Sequence, residues 1–313
     1  MSYFMSLNPL SLFRAMPGSI AQGMIWGVMA LGVYITFRLL DFADLTVDGS
    51  IATGAAVSVM LIRAGVSPIA TLPIAFLAGA LAGMVTGLLN TALGIPGILA
   101  SILTQISLYS INLNIMGKAN QPVSVDNYPL VVSLRYVTDG SVSRLLFFLG
   151  MIVFLLALIA VMYWYFGTEQ GHAIRATGCN GNMARAQGIN TNFIKVLALM
   201  ISNGLVGLCG ALYGQFQGAS DVNMGRGAIV IGLAAVIGEV LFGKFASKRK
   251  LAFAFTLASV ILGAVIYYMV YQFVLWLKMP SEDMKLFSAI VVAIFLAIPY
   301  LKEKRTLRKG ASK

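Results

Sequence analysis

The stretch 144–166 opens on Arg144 and then runs without another charge through Leu, Phe, Ile, Val and Met to Phe166. Coiled as an α-helix at about 1.5 Å per residue, it is long enough to cross the roughly 30 Å hydrocarbon core of a bilayer. It does not stand alone. Mostly apolar segments also cover 19–40, 50–64, 68–93, 96–116, 193–217, 226–245, 251–275 and 285–301, nine in all. Only 11% of the residues are charged, whereas soluble domains average about 25%. A soluble fold could not hide so much apolar surface, but a bilayer accepts it because each helix keeps its backbone hydrogen bonds internal. The expectation is an all-α polytopic membrane protein, one transmembrane domain over 1–313 with eight or nine crossings. Its 32 glycines suit close helix contact in lipid. Residues 3–16, ending at Arg14 and Pro17, predict a separate amphipathic helix at the interface. The first apolar run is too long for the apolar region of a cleaved signal. Cys179 and Cys209 have neither metal nor redox spacing.

Three polar stretches interrupt the apolar pattern: 117–143, 167–192 and a basic tail, 302–313. Lys and Arg concentrate in the second of these and its flank (Arg175, Arg185, Lys195), in 244–250 and in the tail. The excess of basic residues in cytoplasmic loops therefore puts 167–192 and the C-terminus in the cytoplasm and 117–143 outside. If all five preceding segments cross, the N-terminus is outside; if 42–64 is re-entrant, it is inside. The net charge of +11 is met by anionic lipid of the inner leaflet and needs no nucleic acid.

The two halves echo one another. Gly49-Ser-Ile51-Ala-Thr-Gly54-Ala-Ala56 resembles Gly227-Ala-Ile229-Val-Ile-Gly232-Leu-Ala234, and Val28 and Gly32 match Val206 and Gly210 at the same offset. Each block follows a long apolar helix and a polar break. Five crossings between the halves would make the repeat inverted, an arrangement of transporters in which broken helices meet at the bilayer centre.

Polar side chains within spans are costly and so become candidates for a translocation pathway. Ser101, Thr104, Gln105 and Asn112 share an arc of roughly 100° on one helix; Asn203, Gln215 and Glu239 lie in other spans. Interhelical hydrogen bonding is the plain alternative for the amides and hydroxyls, and pairing with Lys244 for Glu239. Asp41, Asp44 and Asp48 fall in the break after the first span. Asp48, just before Gly49 and Ser50, reads as the cap of the helix that follows it. The stretch Gly238 to Lys244 fits most of a phosphate-loop pattern, but Phe245 stands where Ser or Thr is required and no strand precedes it. His172 is the only histidine, too little for a triad or a metal site.

The segment 167–192 reads as two short helices separated by Gly178. Thr168 caps the first, Glu169 suits its dipole, and Gly178 and Gly188 fit helix C-cap positions. Ala173, Ala176 and Ala184 keep the surface flat enough to dock. The pattern Gly171-x-Ala-Ile-Arg175-Ala176-x-Gly178-x-Asn180, continued by Ala184, Gly188, Ile189 and Asn190, resembles the cytoplasmic coupling loop of ABC-importer permeases of the branched-chain amino acid and ribose group. The run Phe42-Ala-Asp-Leu-Thr-Val-Asp-Gly49 is similar to that group's segment after the first span, and its three-acid form resembles the tryptophan or aromatic amino acid subgroup.

The resemblance implies a division of labour. Two permease copies form the pathway in a bacterial plasma membrane, separate ATPase subunits use the ATP, and an extracytoplasmic binding protein or lipoprotein delivers a small solute, an amino acid by this likeness. This chain would bind no cofactor and catalyse nothing. Glu169, His172, Ile174, Arg175, Ala176, Gly178, Asn180, Ala184, Arg185 and Gly188 would belong to the ATPase-coupling surface. A stand-alone secondary transporter or channel would also suit the repeat and Glu239, but would leave the coupling loop without a role. A membrane enzyme lacks a nucleophile–base pair.

Overall fold

In the computed structural model, residues 9–138, 141–232 and 251–276 are described, with positions 238, 286, 290 and 293 described singly. The helices are α1 (Pro9–Tyr34, closing in a π turn, Ile35–Leu39), α2 (Val47–Arg63), α3 (Pro68–Thr91), α4 (Gly97–Met116), α5 (Leu134–Thr138), α6 (Ser141–Phe166), α7 (Glu169–Cys179), α8 (Gly181–Ala186), α9 (Thr191–Gln217), α10 (described over 228–232) and α11 (Ala252–Trp276). Strands β1 (Asn120–Pro122) and β2 (Ala219–Asp221) pair antiparallel, Asn120 opposite Asp221.

Six of the described helices are long and apolar enough to cross a membrane. The chain is thus an all-α multi-pass protein. Of the nine expected segments, most of 226–245 and of 285–301 lie outside the described residues, as do Glu239, Lys244, the phosphate-loop-like stretch beyond Gly238 and the tail 302–313. The segment 50–64 belongs to α2, whose 17 residues make it shorter than the six helices long enough to cross a membrane. The separate interfacial helix at 3–16 is not formed in the described part. α1 is described from Pro9 and passes through Pro17 without a break. Pro17 deletes one helical hydrogen bond, a loss that membrane helices tolerate.

Packing follows side-chain size. α9 lies at the centre, with eighteen buried residues from Thr191 to Phe216. α3 packs along it, since β-carbons at Gly79 and Gly83 would run into the carbonyls of Asn203 and Leu199. α1 and α11 meet in the same way. A β-carbon on Gly23 would stand 2.7 Å from Val265 Cα, and one on Gly27 would stand 2.9 Å from Ile261 Cγ2. α6 is peripheral, turning Leu145, Leu149, Leu156 and Trp164 outward, as a helix bathed in lipid tails does. At one end of the bundle, β1–β2 and α5 cover the helix ends; there Arg63 donates to Gln121, and Gln121 Nε2 donates to the Met116 carbonyl at 2.6 Å. α7 and α8 project from the other end.

Candidate functional site

Between these ends the chain builds a buried polar junction. The segment after α1 turns back into the bundle, with Asp41 exposed in a left-handed conformation (φ 55°). Asp44, 3% exposed, accepts from the Thr46 amide at 2.9 Å and from Asn203 Nδ2 at 2.6 Å. Asn203 Oδ1 in turn accepts from the Ser50 hydroxyl at 2.7 Å. Thr46 and Thr86 share a hydroxyl contact at 2.7 Å, and Thr86 donates to Thr104 at 2.9 Å. One chain of hydrogen bonds, every member of it buried, therefore ties α2, α3, α4 and α9 together.

Asp48 does something different from the expectation. It lies inside the first turn of α2, after Thr46 in the N-cap position, so it does not cap its own helix. Its two oxygens accept from the Gly227 and Ile229 amides, each at 3.1 Å. Those amides open α10 and have no partner within that helix, and the negative charge suits the positive end of its dipole. The starts of α2 and α10, the two repeat-like blocks, are thereby joined by one carboxylate. Beside this junction is a cavity of about 310 Å³, lined by Asp48, Gln105, Asn112, Asn223 and Arg226 among others.

The pathway candidates thus divide. Gln105 and Asn112 face this cavity. Asn112 Nδ2 lies 3.5 Å from the Gly49 carbonyl, while its Oδ1 is buried without a partner. Ser101 bonds back to the Ile98 carbonyl of its own helix at 2.9 Å. Thr104 and Asn203 belong to the buried network. Gln215, fully buried, reaches Ser58 and the Pro68 carbonyl at 3.3 Å and accepts from the Val131 amide at 3.0 Å. For these four, interhelical or local bonding describes the geometry. Sequence reasoning passed over Ser50, Thr46 and Thr86; a Thr two residues after an Asp is a local turn signal, whereas nothing in sequence marks Thr86.

At the projecting end, α7 and α8 form a bracket. Thr168 caps α7, its Oγ1 accepting from the Gly171 amide at 3.5 Å. The break between the helices falls at Asn180, not at Gly178. Asn180 Oδ1 accepts from the Asn182 and Met183 amides at 3.1 and 3.0 Å, and a side chain able to cap a helix outcompetes a glycine as the breakpoint. Gly178 stays inside α7, where a β-carbon would strike the Leu39 carbonyl at the end of α1. It is therefore a contact point between bracket and bundle and not a C-cap. Gly188, at φ 84°, does take the left-handed turn.

The bracket has two faces. Ile174, Thr177 and Ala184 are buried and Ala173 and Ala176 are half-buried, while Glu169, His172, Asn180 and Arg185 are exposed. Arg185 Nε donates to Thr191 Oγ1 at 2.8 Å. Arg175 points inward, its guanidinium 4.1 Å from the centre of the Phe253 ring and 5.6 Å from that of Phe166. Burial pulls its pKa below the usual guanidinium value. His172 Nδ1 donates to the Phe166 carbonyl at 3.2 Å. Among the described residues no group of three His, Cys, Asp or Glu is placed to hold a metal ion.

Over residues 16–299 the chain matches the family described as branched-chain amino acid transport system / permease component. The chain belongs to that family. It is 39% identical over 279 residues to the tyrosine transport system permease protein of Clostridioides difficile (strain R20291), covering 89% of each chain. It is 26% identical over 221 residues to the inner membrane ABC transporter permease protein YjfF of Escherichia coli (strain K12), covering 69% of this chain and 65% of that one. It is 22% identical over 267 residues to the probable branched-chain amino acid transport permease protein LivH of Methanocaldococcus jannaschii, covering 81% and 84%. No solved structure matches it. This permease is thus a multi-pass membrane component of ABC-type transport, and family members of this kind are transport subunits, not enzymes.

Proposed function

We propose that this permease forms the membrane pathway of an ABC importer for an aromatic amino acid in a bacterial plasma membrane. Two copies assemble. Separate ATPase subunits dock on the exposed face of the bracket, through Glu169, His172, Asn180 and Arg185, and a binding protein or lipoprotein delivers substrate at the β1–β2 end. The bracket lies in the cytoplasm with the C-terminus, in keeping with its basic residues. ATP is used by the partners and none is bound here.

The observation that carries this reading is the bracket's construction. Its outward face is polar and its inward face is wedged against the bundle by Ile174, Thr177 and Gly178, with Arg175 stacked on Phe253 of α11. A push on the outside is delivered to the ends of α1 and α11 with little slack. The relative named as a tyrosine transport permease supports the cargo class. The contact of α3 with α9, echoed by that of α11 with α1, supports an inverted repeat whose second members, α2 and α10, start together at Asp48.

The test is affinity purification of the tagged chain from its native membrane under mild conditions, with partners identified by mass. Recovery of a soluble ATPase subunit, with hydrolysis stimulated by a binding protein and its amino acid, is the expected result. Recovery of the chain alone, competent for uptake by itself, would overturn it.

A further inference from the structure

A second cavity, of about 430 Å³, lies within the single protomer between α1, α9, α11 and the segment 224–231 that opens α10. That volume falls in the range of about 300–1,000 Å³ typical of small-molecule sites. Its lining includes Trp26, Tyr213, Tyr267, Tyr268 and Tyr271, with Arg226 at the edge. We propose that this cavity holds an aromatic amino acid inside each protomer, the ring among Trp26, Tyr213 and Tyr271 and the carboxylate on Arg226. The inference rests on the importer reading for its cargo class and adds a substrate subsite to it.

Two observations carry it. The walls are already arranged as aromatic pairs. Trp26 and Tyr213 meet edge to face at 5.0 Å and 71°, and Trp26 and Tyr268 stand 5.9 Å apart. A further ring adds to such a set with the same edge and face preferences. Finally, the cavity is the middle of a series. Gln22, on its wall, also lines a cavity of about 770 Å³ that carries Arg14, Arg144 and Gln272 near α5. Arg226 also lines the cavity of about 310 Å³ beside Asp48 and Gln105. Two basic side chains at one end of the series suit the approach of a carboxylate.

The same residues argue against other occupants. A lipid tail would gain nothing from Arg226. A quaternary ammonium, the usual guest of an aromatic cage, would face the guanidinium. An aromatic amino acid uses the rings and the cation together, as Arg–carboxylate pairing favours. Gln22 and Gln217 hold the Tyr213 hydroxyl, donating to it at 3.3 and 2.6 Å, so that wall is fixed before any ligand arrives.

The experiment uses the permease with its ATPase subunits in lipid nanodiscs, without binding protein, and tritiated tyrosine as the probe. Saturable binding is expected, with leucine competing at least tenfold less well than phenylalanine. Tyr271→Leu and Arg226→Gln should each weaken binding at least tenfold, in preparations that melt within a few degrees of wild type. Uptake by the complete importer is measured alongside. Tyrosine uptake with an unchanged KM in Tyr271→Leu and Arg226→Gln overturns the subsite and leaves the importer reading standing. Absence of uptake of any aromatic amino acid by the complete importer overturns both. A co-purified lipid retained by wild type and lost from Tyr271→Leu also overturns the subsite.

Discussion

Asn203→Leu is the sharpest perturbation of the polar junction. Leucine keeps the branching of the asparagine side chain but is bulkier, so any overpacking adds to the cost of the lost polarity. Three hydrogen bonds vanish: the donation to Asp44 at 2.6 Å, the donation to the Leu199 carbonyl at 3.1 Å and the acceptance from Ser50 at 2.7 Å. Side-chain hydrogen bonds within membrane proteins contribute on average about 0.6 kcal/mol each, which sets a floor of about 2 kcal/mol for three. Two groups, one Asp44 oxygen and the Ser50 hydroxyl, are left unmet at 3% and 0% exposure. Orphaned buried groups cost about 1–3 kcal/mol each, which sets a ceiling of about 6 kcal/mol. At about 1.5 °C per kcal/mol for 313 residues, from an unfolding entropy of about 2.1 cal/mol/K per residue, the floor corresponds to a fall in melting temperature of about 3 °C or more. Thermal melting in nanodiscs, followed by intrinsic fluorescence, reads it. Ser107→Ala is the control, because Ser107 is exposed and bonds only the Leu103 carbonyl of its own helix. An Asn203→Leu protein that melts with wild type and with Ser107→Ala would refute the reasoning.

Three other outcomes follow from the geometry. Asp48→Ala removes the acceptor for two α10 amides and should cost about 1–2 kcal/mol, the range of a lost helix cap, with Asp48→Asn recovering part of it; equal melting of all three proteins would contradict the role. Gly178→Val drives a side chain into the Leu39 carbonyl and should lower uptake at least tenfold while the attached ATPase still turns over; wild-type uptake would remove Gly178 from the coupling path. Arg175→Ala should lose the stacking on Phe253, about 1–2 kcal/mol for a partly desolvated cation over a ring, and Arg175→Lys should keep some of it; a melting temperature unchanged in Arg175→Ala would contradict that packing.

The fold class was legible because lipid imposes it: long apolar runs with few charges have one stable solution. The bracket was legible from its caps, since Thr168 and Gly188 act through local backbone geometry that sequence spacing reports. The breakpoint was misread because two signals competed, and Asn180 prevailed over Gly178 by capping two amides. Gly178 carries a long-range reason, the approach of α1, that no local pattern reveals. The same holds for Asp48, whose partners lie in the other half of the chain, and for Thr86, whose role depends on a neighbouring helix. Polar periodicity on α4 marked a real face, but it does not distinguish lining a cavity from tying helices together. Gln105 and Asn112 face space, whereas Ser101 and Thr104 do not. The aromatic chamber escaped notice because Trp26, Tyr213 and Tyr268 come from three distant helices.

The most direct test of the account is uptake in proteoliposomes holding the permease with its ATPase subunits, with ATP in the lumen and binding protein and tritiated tyrosine outside. The account predicts accumulation that requires ATP and the binding protein together and is competed by other aromatic amino acids. Accumulation by the permease alone, driven by an ion gradient and indifferent to ATP, would contradict it.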